Sequence, residues 1–94
     1  MQTYYMLGKY LPVGLESIST DRTDKCRQLI EELGGEIILM NALLGDYDLA
    51  FVIKFKSNAQ ALEASLTLSK ATGISFDSWP AISVSEFDEI AKRA

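Results

Sequence analysis

The chain has 94 residues, 48% of them hydrophobic, with nine Lys or Arg against 13 Asp or Glu, no His and one Cys. A formal charge of -4 with no basic cluster excludes a nucleic-acid partner held through its phosphates. Without His there is no Ser-His-Asp triad or imidazole metal ligand, and Cys26 alone builds neither an intrachain disulfide nor a thiolate metal centre.

A chain of this length reads as one domain, residues 1–94, burying only about 60 to 65% of its unfolded surface. Its hydrophobic share therefore points to apolar surface covered by other subunits. Met1 to Lys9 lacks the basic start and apolar core of a secretory signal, and no apolar run approaches the roughly 20 residues of a membrane span. The expectation is a cytoplasmic protein without a membrane partner.

Gln2 to Tyr10 is rich in Tyr and stops short of Pro12, which predicts a first strand with Tyr5, Leu7 and Lys9 on one face. Val13 to Ser19 has room for a short helical turn. From Ser19 or Thr20 a helix is expected: Asp21 and Asp24 occupy its first turn, Cys26, Leu29, Ile30 and Leu33 recur at helical spacing, and Gly34-Gly35 ends it. Cys26 reads there as a buried, reduced thiol. Arg22 opposes the dipole at the start of this helix, which points to an ion pair or an anion contact.

Glu36 to Leu44 reads as a strand covered on both sides, with Ile38, Met40 and Leu44 on one face and Ile37, Leu39 and Leu43 on the other. Asn41 is its one polar interruption and needs hydrogen-bond partners, which water at a sheet edge would supply. Gly45-Asp46 predicts a tight hairpin. In the strand that follows, Tyr47, Leu49, Phe51, Ile53 and Phe55 share the face turned to helices. Asp48, Ala50, Val52 and Lys54 form the other, whose small apolar centre calls for a second protein layer.

Ser57 with Gln60 makes a capping box and opens a helix through Leu62, Leu66 and Ala71 to Gly73. Ile74 to Ile82 reads as the fourth strand, with Trp79-Pro80 favouring a sheet edge. Ser83 with Glu86 repeats the capping box before a short final helix, Ser85 to Lys92. The order βαββαβ plus a tail helix is an α+β, ferredoxin-like arrangement, with two helices on one face of an antiparallel sheet. Its open face is expected to pair with that of a second copy in a symmetric dimer.

Gly45-Asp46-Tyr47-Asp48 resembles the Gly-x-Tyr-Asp signature of the GYD family. Three further blocks lie in the matching order: Leu7-Gly8-Lys9-Tyr10, Leu29 to Gly35, and Ala81-Ile82-Ser83 with Glu86-Phe87. The resemblance spans nearly the whole chain and implies a small bacterial protein with a ferredoxin-like, dimeric α+β barrel fold and no established general activity. One departure is that Ala42 and Leu43 stand where members often carry an aromatic residue and a threonine.

The chemistry on offer is small. Candidate ligand-binding residues are Tyr5, Lys9, Asn41, Tyr47 and Asp48, and Asp48 is the one candidate for a general base if a dimer partner half-shields it. Its alternative role is to accept hydrogen bonds from backbone amides of the turn. Nothing calls for a cofactor or a metal. The expected function is a non-enzymatic homo-oligomeric module that binds a small molecule or regulates. The alternative, implied by the resemblance, is a cofactor-free enzyme of monooxygenase, isomerase or decarboxylase type.

Overall fold

The structure, a computed structural model, describes residues 1–11 and 20–94; the short turn expected over Val13 to Ser19 lies outside them. Strand β1 (Gln2–Tyr10) is followed by helix α1 (Thr20–Glu32), strands β2 (Glu36–Ala42) and β3 (Leu49–Phe55), helix α2 (Asn58–Thr72), strand β4 (Ile74–Ala81) and helix α3 (Val84–Arg93). The four strands form one antiparallel sheet in the order β2-β3-β1-β4. This is the ferredoxin-like topology, with the first and third strands central and β4 at an edge, where Trp79-Pro80 predicts it.

The core lies on one side of this sheet. Tyr4, Met6, Phe51, Ile53, Phe55 and Ile74 come from alternate strand positions, and Cys26, Ile30, Ala61, Ala64 and Leu68 from the helices. Each large side chain buried this way contributes roughly 1.5–3 kcal/mol. β1 can approach β4 closely because Gly8 has no side chain, since a Cβ there would sit 2.7 Å from the Phe76 ring. Tyr4 is buried with its hydroxyl satisfied, donating to Asn58 Oδ1 at 2.6 Å and tying β1 to the first residue of α2.

Ser57 caps α2, with Gln60 N donating to Ser57 Oγ at 3.2 Å, while the reciprocal side-chain bond of the capping box is made one residue earlier. The Gln60 side chain then accepts from Lys56 N at 2.8 Å and donates to the Leu33 carbonyl at 2.5 Å, fixing the start of α2 to the end of α1. Gly73 closes α2 in the left-handed conformation at φ 71°, where a side chain would be strained. The buried face of α2 is made mainly of small residues rather than of Leu62 and Leu66. Ala61, Ala64, Ser65, Leu68 and Thr72 face inward, while Leu62 and Leu66 are exposed. Small residues let the helix sit close on β4, where the Ser65 and Ser78 hydroxyls bond to each other.

Three expectations are corrected. β2 stops at Ala42, and residues 43–48 form a loop rather than a two-residue turn, closed by Leu43 N donating to the Asp48 carbonyl at 2.8 Å. A register shift between Ile37 and Leu39 breaks the alternation of β2. Ile37 and Met40 therefore both pack on the core, while Ile38 and Leu39 are exposed. Tyr47 precedes β3 and does not share the core face of Phe51 and Ile53. The last helix begins at Val84, under a cap in which Glu86 N donates to Ser83 Oγ at 3.0 Å.

Candidate functional site

Of the five residues singled out for ligand binding, Lys9 and Tyr47 come together at one end of the open sheet face, while Tyr5 lies in another row of that face and Asn41 on the far edge strand. The pairing register sets Leu39, Val52, Tyr5 and Trp79 in one apolar row across all four strands. The next row is Asn41, Ala50, Leu7 and Asp77, and Lys9 faces Ser75 beyond it. Tyr47 reaches this end of the face from the loop, donating its hydroxyl to Asp77 Oδ2 at 2.6 Å. Lys9, Tyr47 and Asp77 line one shallow groove with Asp46 and Ser75. The hydrogen bond to Asp77 pushes the Tyr47 hydroxyl above its ordinary pKa, helped by desolvation and by the charges of Asp77 and Asp46.

Asp48 is placed differently. Its Oδ2 accepts from Tyr10 N at 2.8 Å, and its own amide donates to the Gly8 carbonyl at 2.8 Å. The amide it serves belongs to β1, not to the turn. The ladder between β1 and β3 has its last paired residues at Gly8 and Leu49, and Asp48 extends it with one backbone and one side-chain bond. Asp48 and Tyr47 thus fasten the loop to β1 and β4. Asp48→Ala, which leaves Tyr10 N without its acceptor where Asn would keep one, is expected to lower stability by about 1 kcal/mol or more. Urea denaturation checks this. An unchanged midpoint would mean the carboxylate has another role.

Asn41 is exposed on the edge strand β2 and also borders a cavity under α1. On the other side of the sheet lies a feature that site-by-site reading of polar residues missed. A half-open cavity of about 160 Å³ separates the first half of α1 from the sheet. It exists because Thr23 and Cys26 are small, whereas Ile30, with Leu29 and Leu33, fills the space below the second half of α1. Met40, Leu49, Phe51 and Ile74 supply its apolar wall. The Arg22 guanidinium lies over the Tyr10 ring, 5.4 Å from its centroid, at the same cavity. Burial pushes the Cys26 thiol up, and the charge of Arg22 opposes that push. The signal for this cavity was in the sequence, as two small residues three apart in the first half of α1.

The family model of the GYD domain matches residues 4–91. The chain belongs to the GYD domain family. In this GYD domain the signature residues Tyr47 and Asp48 are spent on loop and strand contacts. No curated protein matches the sequence. Among solved structures, the crystal structure of the Mycobacterium tuberculosis leucine response regulatory protein, LrpA, superposes with a TM-score of 0.60 at 8% identity, over 87% of this chain and 51% of that one. This chain therefore spans about half the length of LrpA, and the likeness supports the ferredoxin-type fold. No helix of the described residues is long and apolar enough to cross a membrane. Among those residues no group of three Cys, Asp or Glu side chains suits a metal ion.

Proposed function

We propose that this GYD domain is a non-enzymatic, homo-oligomeric module that binds a small molecule and serves a regulatory role, with two copies pairing their open sheet faces. The observation that carries this reading is the apolar row on the open face. Tyr5 is 47% exposed and Trp79 55% exposed, as partners across the β1–β4 ladder, with Leu39 also open beside Val52. Helix α3 adds Val84, Phe87 and Ile90, an exposed stripe at helical spacing in a helix with no buried residue. Surfaces of this kind mark association sites. The fold shared with LrpA, a regulatory protein by its description, fits the same role. Asp48 also fits it, since one carboxylate oxygen already accepts from Tyr10 N and serves the fold.

Sedimentation at micromolar concentration tests the assembly, with a dimer or larger oligomer expected. A compact monomer would remove the reading. A thermal-shift screen against a metabolite panel tests the binding role, because a ligand at about 100 times its dissociation constant stabilises the folded state by roughly 2.7 kcal/mol. A panel without a single stabilising compound leaves only a structural subunit.

A further inference from the structure

We propose that α3 is an exchanged arm: its apolar stripe seats, antiparallel, in the groove along the outer face of α2 on a second copy of the chain, and that copy's α3 returns the contact. The inference rests on the homo-oligomer proposed above and gives it a second, helical contact outside the paired sheets.

Two apolar surfaces are left over when the open sheet faces pair. One is a ridge. In α3, Val84, Phe87 and Ile90 recur three residues apart, all exposed, and none of the ten residues of the helix is buried against its own chain. The other is a groove. Ala59, Leu62 and Leu66 line it with Glu63, Thr67 and Lys70, on the side of α2 turned away from its buried face. Residues 84 to 90 of α3 rise about 9 Å and residues 59 to 66 of α2 about 10.5 Å, so ridge and groove match in length. Leu62 and Leu66 lie one turn apart with the small Ala59 beside them, which gives the Phe87 ring a seat.

Within one copy the two surfaces stay apart, since Leu62, Leu66 and Phe87 are all open. The Ser83 backbone is extended, at φ -66° and ψ 153°, and carries α3 away from the end of β4. An arm held out in this way is placed to meet a neighbour.

Charge sets the direction of seating. Along α2 the acid of the groove, Glu63, precedes its base, Lys70, and along α3 Glu86 precedes Lys92 and Arg93. Antiparallel helices therefore set acid against base at both ends of the contact, whereas parallel ones would oppose like charges. Lys92 also pairs with Glu89 inside α3, an exposed pair at 3.3 Å, so Arg93 is the base assigned to Glu63. A ten-residue helix buries far less than the roughly 1,200 Å² of a stable interface, so the arm reinforces the open-face pairing and does not replace it.

The test is disulfide trapping between copies. Leu66→Cys and Phe87→Cys are made in separate full chains, one of them mass-tagged, then mixed at micromolar concentration and oxidised, with the wild type as the control for the buried Cys26. A mixed product joining position 66 of one chain to position 87 of the other is expected. Phe87→Cys linking instead to a Tyr5→Cys or Trp79→Cys chain would overturn the proposal, by placing α3 on the open sheet face. A link formed only inside one chain that carries both substitutions would overturn it too, as would no link at all. A double-mutant cycle read by sedimentation checks the seat without a covalent bond. Phe87→Ala and Leu66→Ala should each raise the dissociation constant of the oligomer about tenfold, and the pair together barely more than either alone. Fully additive losses would put the two residues on separate surfaces and overturn the contact. Both side chains are exposed in a single copy, so both variants should keep the wild-type circular dichroism. A monomeric wild type overturns the assembly itself, and an oligomer without the link overturns the arm alone.

Discussion

Val52→Asp is expected to unfold the protein or take its assembly apart, at a cost of several kcal/mol. Val52 lies at the centre of the open face, paired across the sheet with Leu39 on one side and Tyr5 on the other. It is only 8% exposed within one copy, because those neighbours already lean over it. A carboxylate there loses water with no cation beside it in its row, and face-to-face pairing would bring up the same charge from a second copy. Part of the cost arises inside one chain, so this variant alone does not isolate the interface. Trp79→Asp does, because Trp79 is mostly open in a single copy and its loss removes little internal packing. Sedimentation and urea denaturation of both variants check the pair. Val52→Asp should fail in both measurements, and Trp79→Asp should keep its unfolding midpoint yet lose its oligomer. A Trp79→Asp protein that assembles like the wild type would move the interface elsewhere.

Phe55→Ala should be the most damaging truncation of the core, at about 3–5 kcal/mol. Phe55 is fully buried and meets the Tyr4 ring edge-on, with centroids 5.8 Å apart and planes at 64°. It also closes the end of α1, since a Cβ at Gly35 would sit 2.7 Å from its ring and 2.7 Å from Ile30. Neighbours fixed this way cannot collapse into the space a missing ring leaves. The sheet holds Tyr4 through β1 and the Asn58 bond, and the Gly35 turn is held by its amide donating to the Ile30 carbonyl at 2.9 Å. Against a total stability of roughly 5–15 kcal/mol for such a domain, the loss would leave a marginal fold. The melting temperature is expected to fall by roughly 4–8 °C for each kcal/mol lost. A calorimetric loss below about 1.5 kcal/mol would show that the site relaxes.

Much of the fold was legible because local chemistry and global pattern agree. Ser57, Ser83 and Gly73 mark helix ends by bonds that involve a few neighbouring residues, and all three cap the ends where they are expected. The alternation of β1 and β3 located the central strands for the same reason. β2 was misread in its faces because an irregularity between Ile37 and Leu39 inserts one residue, and a run that is apolar throughout gives no sign of where the period slips. The inward face of α2 was not legible, because Leu62 and Leu66 stand out in the sequence while close packing against β4 uses its alanines and serine. Asp48 was placed among turn amides because its partner, Tyr10, lies 38 residues away and only the β1–β3 pairing brings it near. The cavity escaped for a related reason. Cys26 reads as an ordinary buried member of the apolar stripe and Thr23 lies outside it, so the void shows only once both walls are in position.

The two outer strands of the sheet have a consequence for how copies of this chain can join. β2 carries the register slip, with Ile38 and Leu39 pushed outward, and β4 carries Pro80, which has no amide hydrogen to offer. An added strand would find a kinked rail on one side and a missing rung on the other. Growth of the sheet sideways, the route to open-ended fibres, is thus obstructed at both ends. The apolar faces meet no such obstacle, and face-to-face pairing about a two-fold axis closes on itself after two copies.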